Sequence, residues 1–276
     1  MNTWTIDEIE FLKYNYELYS VKELSEHLGR TANAVKIKAR KLGLLRKSKY
    51  YYQKDFFKDI NTPNKAYWLG FIYADGYVTK QKDKTETYTV GIELSVCDES
   101  HLKNFNKDIG GNICIARRHR VCEYRGKKIS GDICSIRIYC SEMGIDLIKH
   151  GCCLNKSKIR PAPIGIPDEL VRDFIRGYFD GNGSVTSSFS KKANRSYTKI
   201  TISSGSMEFI KWISSYLSSI NISNSYYDDG NYCFKLQISS NSINSFLNYI
   251  YKNSERYLSR KYEKYMVAVY GDDTNP

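Results

Sequence analysis

A short motif occurs twice in the chain, and this repetition restricts the fold more than any other feature. The first copy reads YWLGFIYADG and the second reads IRGYFDGNG. In each copy a glycine is followed by four residues, a polar side chain that can bind a metal ion, and another glycine. The interval from Gly70 to Gly177 equals the interval from Asp75 to Asn182. Self-similarity at a fixed spacing predicts two structural repeats.

The segments that follow the two motifs repeat as well. Each motif is followed by a β-rich stretch, a helical stretch, a second β-rich stretch and a second helical stretch. In the first copy these are YTVGIELSV, ESHLKNFNKDIG, ICSIRIYC and SEMGIDLIKHG; in the second they are TKITISS, SMEFIKWISSYL, YCFKLQIS and NSINSFLNYIYK. A linker with three prolines, residues 161–167, separates the copies. We therefore predict an α+β fold with repeats at 62–160 and 168–270.

Small residues in both motifs predict close packing of two helices. Gly70 and Ala74 in the first copy, and Gly177 and Gly181 in the second, would let two helix backbones approach without side chains between them. The C-terminal ends of the helices would then bring residues 75 and 182 side by side. A pair of oxygen ligands can hold hard divalent cations, which contact DNA phosphate and activate water. The strands that follow can curve into a saddle along the major groove, where a β-ribbon fits.

The motifs WLGFIYADG and IRGYFDGNG resemble those of the LAGLIDADG homing endonucleases in their single-chain, two-repeat form. The resemblance covers roughly Asn61 to Met266 and includes the C-terminal segment YLSRKYEKY. It implies a monomer in which two αββαββα repeats are related by a pseudo-twofold axis. It also implies hydrolysis of both strands of a long, pseudo-palindromic double-stranded DNA target with Mg²⁺ or Mn²⁺. The residues that it places at the catalytic and metal centre are Asp75, Asn182, Ala74 and Gly181.

Position 182 departs from the family pattern, which has Asp or Glu there. An amide oxygen can bind Mg²⁺ but brings no charge, so two cations that share the Asp75 carboxylate should be held less tightly. Asp180 is a poor substitute for the missing acid, because two residues along a helix turn a side chain by roughly 160°. The pairing of Asp75 with Asn182 leaves three possibilities open: a working nuclease, a nickase with a strand preference, or a protein that binds DNA without cutting it.

The second β-rich stretch of each repeat supplies further candidates. The family usually has a basic or polar residue near each metal centre on a strand of this stretch. Alignment of the two copies pairs Arg137 with Lys235 and Tyr139 with Gln237, and the alternation of a strand puts neighbours of the same parity on one face. We predict catalytic roles for Arg137, Lys235 and Gln237, with an ordinary polar sheet face as the alternative.

The N-terminal segment, 1–49, carries the cap signals of three short helices. Thr5–Glu8 and Ser20–Glu23 read as capping boxes, and Thr31 can cap a third helix. A short second helix, a glycine turn and a longer third helix predict a helix-turn-helix domain at 1–49, followed by a linker at 50–61. The segment resembles the trihelical modules that accompany nucleases of phages and mobile elements.

The charges of this segment separate along the chain. From Arg30 to Lys49 there are eight basic residues and no acidic ones, whereas every carboxylate lies before position 27. A third helix of this composition can reach base edges and phosphates from more than one face. The alternative is a small helical bundle with a solvated basic face. The residues that we expect to contact DNA are Arg30, Thr31, Asn33, Lys36, Lys38, Arg40 and Lys41.

Two strand-turn regions in the repeats are also basic. We place them in equivalent positions of the two repeats, where symmetric hairpins could grip phosphates on both halves of a DNA site. Charges solvated in ordinary turns are the alternative. The DNA-binding residues predicted in the first region are Arg117, Arg118, Arg120, Lys127 and Lys128. Those predicted in the second are Lys191, Lys192 and Arg195.

Composition supports a nucleic-acid partner. The formal net charge is +12, and such a surplus favours binding to DNA or RNA. No apolar run approaches the roughly 20 residues of a membrane span, and the acidic N-terminus does not resemble a signal peptide. None of the eight cysteines forms a C-x-x-C pattern or has zinc-finger spacing, and most lie in apolar alternating stretches, which predicts reduced core residues there and a cytoplasmic protein.

Three functions remain open after these observations. The first is a metal-dependent, site-specific DNA endonuclease whose helix-turn-helix domain lengthens the target. The second is a DNA-binding regulator that has kept the scaffold and lost cleavage, which Asn182 favours. The third is an intron-splicing cofactor that binds structured RNA, against which the helix-turn-helix pattern argues.

Overall fold

The computed structural model describes residues 3–44, 50–81, 87–124, 126–154, 160–190 and 195–270 of the 276-residue chain. The chain divides into two compact units, Met1–Tyr51 and Tyr52–Pro276. Among the described residues, no helix combines the length and the apolar composition that a membrane span requires.

The first unit is a bundle of three helices around a small core. Both predicted capping boxes are present, and the Thr31 side chain accepts a hydrogen bond from the Ala34 backbone. Gly29 and Gly43 follow the second and third helices with φ values of +57° and +67°, a left-handed conformation that glycine adopts without strain. The fully buried side chains are Leu12, Leu24, Val35 and Ala39. The helices are α1 (Ile6–Asn15), α2 (Val21–His27) and α3 (Ala32–Lys41).

The second unit contains the two predicted repeats. Each has the element order αββαββα, so the predicted α+β fold class is confirmed, and the second repeat continues into one more helix. The first repeat consists of α4 (Pro63–Ala74), β1 (Gly76–Lys80), β2 (Tyr88–Ser95), α5 (Glu99–Asp108), β3 (Ala116–Tyr124), β4 (Lys127–Tyr139) and α6 (Ser141–Lys149). The second consists of α7 (Val171–Asn182), β5 (Gly183–Ser190), β6 (Arg195–Ser204), α8 (Met207–Ser219), β7 (Asn224–Asp228), β8 (Phe234–Ile238) and α9 (Ile243–Tyr251), followed by α10 (Ser259–Tyr270).

Each repeat forms one antiparallel four-stranded sheet. The strand orders are β1-β2-β4-β3 and β5-β6-β8-β7, so the two sheets have the same topology. Alternate side chains on one face are apolar and buried, because strand side chains point to opposite faces in turn. The buried residues of the first sheet include Val78, Val90, Ile92, Leu94, Cys134, Ile136 and Ile138, and those of the second include Val185, Ile200, Ile202, Leu236 and Ile238. We call the opposite face of each sheet its open face.

Candidate functional site

The two motif helices, α4 and α7, are in backbone contact. A Cβ atom added to Gly70 would overlap the carbonyl oxygen of Phe174, and one added to Gly177 would overlap the carbonyl oxygen of Tyr67. Tyr67 and Phe174 are themselves separated by the same interval as the two glycines, so the two contacts are equivalent. Any larger side chain at either glycine would push the helices apart. The small residues predicted to allow this approach therefore lie in the contact itself.

The C-terminal ends of the two helices meet, and they bring the four predicted metal-site residues together. A Cβ at Gly181 would overlap the side chain of Ala74 and would lie 3.4 Å from the carboxyl carbon of Asp75. The amide nitrogen of Asn182 lies 3.5 Å from the Ala74 carbonyl oxygen. Asp75 and Asn182 are both partly buried, and each comes directly before the first strand of its repeat.

The chemistry of these donors fits a hard divalent cation. The Asp75 carboxylate, the Asn182 amide oxygen and the carbonyl oxygens of Ala74 and Gly181 are all oxygen ligands, which Mg²⁺ and Mn²⁺ prefer. Among the described residues there is no group of three or more His, Cys, Asp or Glu side chains that could hold a metal. The site accordingly offers one negative charge where the family pattern has two.

Asp180 does not contribute to this donor set. Its side chain is fully buried and accepts hydrogen bonds from the Tyr67 hydroxyl at 2.7 Å, the Tyr251 hydroxyl at 2.5 Å and the Leu258 amide at 2.7 Å. Burial raises the pKa of this carboxyl, although its hydrogen bonds act in the opposite direction. Both carboxylate oxygens are committed to neighbours inside the unit, so Asp180 cannot replace the acid missing at position 182.

Lys261, on α10, was not among the predicted site residues. Its side chain is 5% exposed, and Nζ donates to the carbonyl oxygens of Phe179 at 2.6 Å and Gly183 at 2.7 Å. Burial lowers the pKa of the Lys261 ammonium to about 8, while the carboxylates of Asp180 and Asp75 act to raise it. The ammonium thus holds the end of α7 on both sides of Asn182. The segment YLSRKYEKY, which contains Lys261, carried the only sequence signal for it.

Arg160 is a second cation that the sequence reasoning missed. Its guanidinium carbon lies 5.5 Å from the ring centroid of Tyr73, and one terminal nitrogen donates to the Tyr178 hydroxyl at 3.2 Å. The same hydroxyl accepts from the Asn182 amide nitrogen at 3.3 Å. Arg160 therefore reaches the metal-site end of the helix pair through Tyr178. It lies just before the predicted linker, in a segment that carried no motif.

The strand register corrects the predicted alignment of Arg137, Lys235 and Gln237. In the first sheet Gly76 is paired with Ile92, which is paired on its other side with Ile136. In the second sheet the equivalent Gly183 is paired with Ile202, which is paired with Leu236. The register equivalents are therefore Arg137 with Gln237, and Ser135 with Lys235; the predicted pairing of Arg137 with Lys235, and of Tyr139 with Gln237, was wrong by two residues. Because side chains alternate with a period of two, the shift leaves every one of these residues on the open face.

The local surroundings of these strand residues differ. Arg137 is exposed and is paired across the sheet with Gly91, which is paired with Tyr77. Tyr77 follows Asp75 by two residues. Lys235 is partly buried and forms an ion pair with Asp229 at 2.5 Å, which raises the pKa of its ammonium. Gln237 is partly buried, in a row with Ser225.

The two basic hairpins do not occupy equivalent positions, contrary to the prediction. The first joins β3 and β4, the third and fourth strands of its repeat, whereas the second joins β5 and β6, the first and second strands. The true counterpart of the first hairpin joins β7 and β8 and closes at Asp228 and Asp229. Lys128 is exposed on the first hairpin. Lys127 begins β4 and Arg195 begins β6, and Lys191 and Lys192 lie outside the described residues.

The arginines of β3 point to opposite faces of the first sheet. Arg117 lies on the core side of the sheet edge and forms an ion pair with Glu99, whose carboxyl pKa the Arg117 guanidinium lowers to about 2. Arg118 and Arg120 lie on the open face and both contact Glu93. The three arginines, predicted as one group, therefore divide between the two faces of the sheet and pair with different glutamates, although the Arg117 side chain is itself 65% exposed.

Helix α3 presents one polar stripe, not several. Asn33, Lys36, Arg40 and Lys41 are exposed at the spacing of a single helix face, and the exposed Ile37 lies among them. Two of the residues predicted to contact DNA instead have partners within the three-helix unit. Arg30 forms a two-point ion pair with Glu8 and packs on Trp4. The Lys38 ammonium lies 5.8 Å from the Trp4 ring centroid. Thr31 serves as the helix cap.

Comparison with known proteins agrees with the predicted family for the second repeat. Residues 169–251 match the family described as LAGLIDADG-like domain. A 160-residue segment is 33% identical to the DNA-directed RNA polymerase subunit Rpo1C of Methanocaldococcus jannaschii; it covers 57% of this chain and only 16% of that protein.

Three solved structures of LAGLIDADG proteins are similar at low sequence identity. The meganuclease I-SmaMI bound to uncleavable DNA is 15% identical, with 74% of this chain and 88% of that chain covered and a TM-score of 0.49. I-GzeII in complex with its DNA target is 14% identical, with coverages of 78% and 93% and a TM-score of 0.47. I-DmoI in complex with DNA and Mn is 14% identical, with coverages of 68% and 96% and a TM-score of 0.44.

Proposed function

We propose that this chain is a site-specific endonuclease that cuts double-stranded DNA with the help of a divalent cation, because residues 169–251 match the LAGLIDADG-like domain family. The observation that carries the proposal is the contact of α4 and α7. It brings the Asp75 carboxylate and the Asn182 amide together at the adjoining helix ends, each directly before a sheet with a polar open face.

The residues at the helix ends suit phosphodiester hydrolysis. Asp75 and Asn182, with the carbonyl oxygens of Ala74 and Gly181, would hold Mg²⁺ or Mn²⁺. When bound, such a cation stabilises negative charge on phosphate oxygens and lowers the pKa of water. Lys261 fixes the carbonyl groups on both sides of Asn182 and keeps a positive charge close to them. We assign Arg137, Lys235 and Gln237 to contacts with the DNA backbone beside the cation.

The rest of the surface suits a long DNA target bound by a monomer. The two repeats supply two sheets of the same topology, so one chain would contact both halves of a pseudo-palindromic site. The stripe of Asn33, Lys36, Arg40 and Lys41 on α3 would add further contacts to DNA. Such contacts depend on phosphate charge, so binding should weaken by roughly 10³-fold or more between about 50 and 200 mM salt.

One feature favours a second function. Asn182 leaves one carboxylate to balance the charge of the cation, and this weakens the case for cutting both strands. A regulator that binds the same target without cleavage would keep the helix contact, the open faces and α3, and would need no second acid. A nickase lies between the two functions, because the strand served mainly by Asp75 could still be cut.

Cleavage assays separate these functions. The protein would be incubated with supercoiled plasmid that carries its own gene and flanking DNA, in Mg²⁺ and in Mn²⁺. We expect nicked or linear product, abolished by Asp75→Asn and increased by Asn182→Asp, which restores the second charge. Asp168→Asn is the matched control, because it removes a carboxylate before the other end of α7.

The other outcomes are equally informative. Tight and specific footprints without product in either metal would establish the regulator, and restored cleavage by Asn182→Asp would show that only the acid is missing. Absence of sequence-specific binding would refute both DNA functions.

A further inference from the structure

The open faces of the two sheets differ in their chemistry, although the sheets share one topology. On the first sheet, Arg118 and Arg120 of β3 lean across β4 towards Glu93 of β2. At the register position equivalent to Glu93, the second sheet has Ser203. Among the described residues, the β7–β8 hairpin carries Asp228 and Asp229 where β3–β4 carries its arginines. The first sheet therefore has a group that the second does not reproduce.

This group, the Arg118–Glu93–Arg120 triad, is held in place by two ion pairs. Arg118 donates from one terminal nitrogen to Oε2 of Glu93 at 2.7 Å, and Arg120 donates from one terminal nitrogen to Oε1 at 3.1 Å. Each oxygen of the carboxylate thus serves one arginine. The side chains of Arg118 and Arg120 remain 56% and 55% exposed, whereas that of Glu93 is 22% exposed. The carboxylate lies beneath and the guanidinium groups face outwards.

The arrangement suits base recognition better than attachment to phosphate. Each guanidinium uses one terminal nitrogen on Glu93 and keeps other N–H groups, and a fork of two such groups matches O6 and N7 of guanine in the major groove. A carboxylate between two arginines lowers the local positive charge, which weakens attraction to phosphate. The carboxylate also holds two flexible arginine side chains in place before DNA binds. Less side-chain conformational entropy is then lost when they contact a base, which favours specific recognition.

The second sheet has a different complement of donors and acceptors. A hydroxyl group can donate or accept, so it contacts most base edges and discriminates less than a two-point arginine contact. The hydroxyl-bearing residues on its open face include Ser184, Thr186, Tyr197, Thr201, Ser203, Ser225 and Tyr227. The same face also carries Lys199 and Gln237. Lys235 on this face is paired with Asp229.

We infer that the Arg118–Glu93–Arg120 triad reads guanine in one half of the DNA target, and that the equivalent part of the other half is read with weaker base preference. The inference rests on the proposed function, since it requires that the open faces bind DNA. It assigns base recognition to two arginines and an orienting role to Glu93.

Selection from a random-sequence duplex library tests the inference. The full chain would be incubated with duplexes of randomised sequence in EDTA, so that bound DNA stays intact, and the retained sequences determined. The variants are Arg118→Lys with Arg120→Lys, which keeps both charges and removes the fork, and Glu93→Gln, which removes the orienting charge. Arg117→Lys is the matched control on the opposite face, and Lys36→Ala with Arg40→Ala identifies positions read by α3. Circular dichroism and thermal unfolding confirm that each variant is folded.

We expect guanine to be preferred at one or more positions in one half of the selected site. The double lysine variant should lose about 5- to 150-fold of that preference, the range for a two-point base contact, while the salt dependence of binding stays unchanged. Glu93→Gln should lower the guanine preference and raise the affinity for DNA of unrelated sequence, because it removes a negative charge beside the phosphates.

Two results would overturn the inference. One is an unchanged guanine preference in the folded double lysine variant. The other is equal guanine preference in both halves of the selected site, with both preferences insensitive to Glu93→Gln. A wild-type protein that enriches no sequence would instead refute the proposed function, so the two failures are distinguishable.

Discussion

Mild acid should destabilise the two-repeat unit through one buried histidine, His101. Its side chain is 2% exposed, and its ring lies 4.8 Å from that of Trp68 and 4.7 Å from that of Phe71. Nε2 lies 3.0 Å from the Tyr67 hydroxyl, which itself donates to Asp180. The neutral imidazole must therefore be the tautomer that donates from Nε2, and a second proton would be buried among aromatic rings.

The size of the effect follows from the pKa of His101. Burial lowers it to about 3, and the positive charges of Arg256 and Arg260 act in the same direction. In the unfolded chain the pKa is about 6.5, so below that pH the unfolded state binds a proton that the folded state refuses. The stabilisation is complete above about pH 7 and is lost as the pH falls from 6.5 towards 3. Between pH 7 and pH 5 the loss is about 2 kcal/mol, since one pKa unit corresponds to about 1.4 kcal/mol.

Denaturant unfolding at pH 7, 6 and 5 measures this loss. A Trp4→Phe background restricts the tryptophan fluorescence to the second unit, because the chain's other two tryptophans are Trp68 and Trp212. His101→Gln does not titrate in this range and can still donate to Tyr67, so its stability should fall by about 2 kcal/mol less than that of the wild type. His119→Gln is the matched control, because it replaces a histidine whose side chain is 59% exposed. An equal pH dependence of His101→Gln and the wild type would refute the reasoning.

Three further predictions concern packing, thiols and caps. Gly177→Ala should destabilise the second unit by at least about 1–3 kcal/mol in denaturant unfolding, because its Cβ would overlap the Tyr67 carbonyl oxygen; Gly131→Ala, with open space around it, should change the stability little. Thr31→Ala should destabilise the three-helix unit by about 1 kcal/mol, measured by circular dichroism, through loss of the cap to Ala34. A thiol reagent should label the native protein first at the exposed cysteines, and peptide mapping should show these to be Cys97, Cys114 and Cys122. Labelling of the buried cysteines should require unfolding, and these are Cys134, Cys140 and Cys152.

Local signals predicted the elements of this chain well. The capping boxes at Thr5 and Ser20 begin helices at the predicted residues, because a cap is formed by side chains three positions apart. Periodicity predicted a β-rich stretch and a helix, twice over, after each motif, and the resemblance to the LAGLIDADG family implied the full order αββαββα. The close approach of α4 and α7 at Gly70 and Gly177 was predictable from local signals too, since it depends on residue size at a repeated position.

Contacts between distant segments were not predictable in this way. Arg137 and Gln237 occupy equivalent positions in the two sheets, and this equivalence is set by the hydrogen-bonded register within each sheet. A shift of two residues leaves the pattern of apolar and polar side chains unchanged, so the sequence does not reveal the register. Arg30 was assigned to DNA because its neighbours are basic, but its partner, Glu8, lies 22 residues earlier in the chain. Arg117 and Arg118 are neighbours on β3 and therefore point to opposite faces of the sheet. Which of the two points to the open face is known only from the pairing of β3 with β4.

The two repeats are symmetric where packing demands it and different where it does not. Gly70 and Gly177 each meet a carbonyl oxygen of the other helix, so neither position can change without separating both helices. The helix ends carry no such reciprocal constraint. Asp180 has the full set of donors that a buried carboxylate requires, whereas the equivalent Tyr73 needs only carbonyl acceptors for its hydroxyl. A single chain can therefore keep one shared interface while its two helix ends differ in charge: Asp180 of the second repeat corresponds to Tyr73, and Asp75 of the first corresponds to Asn182.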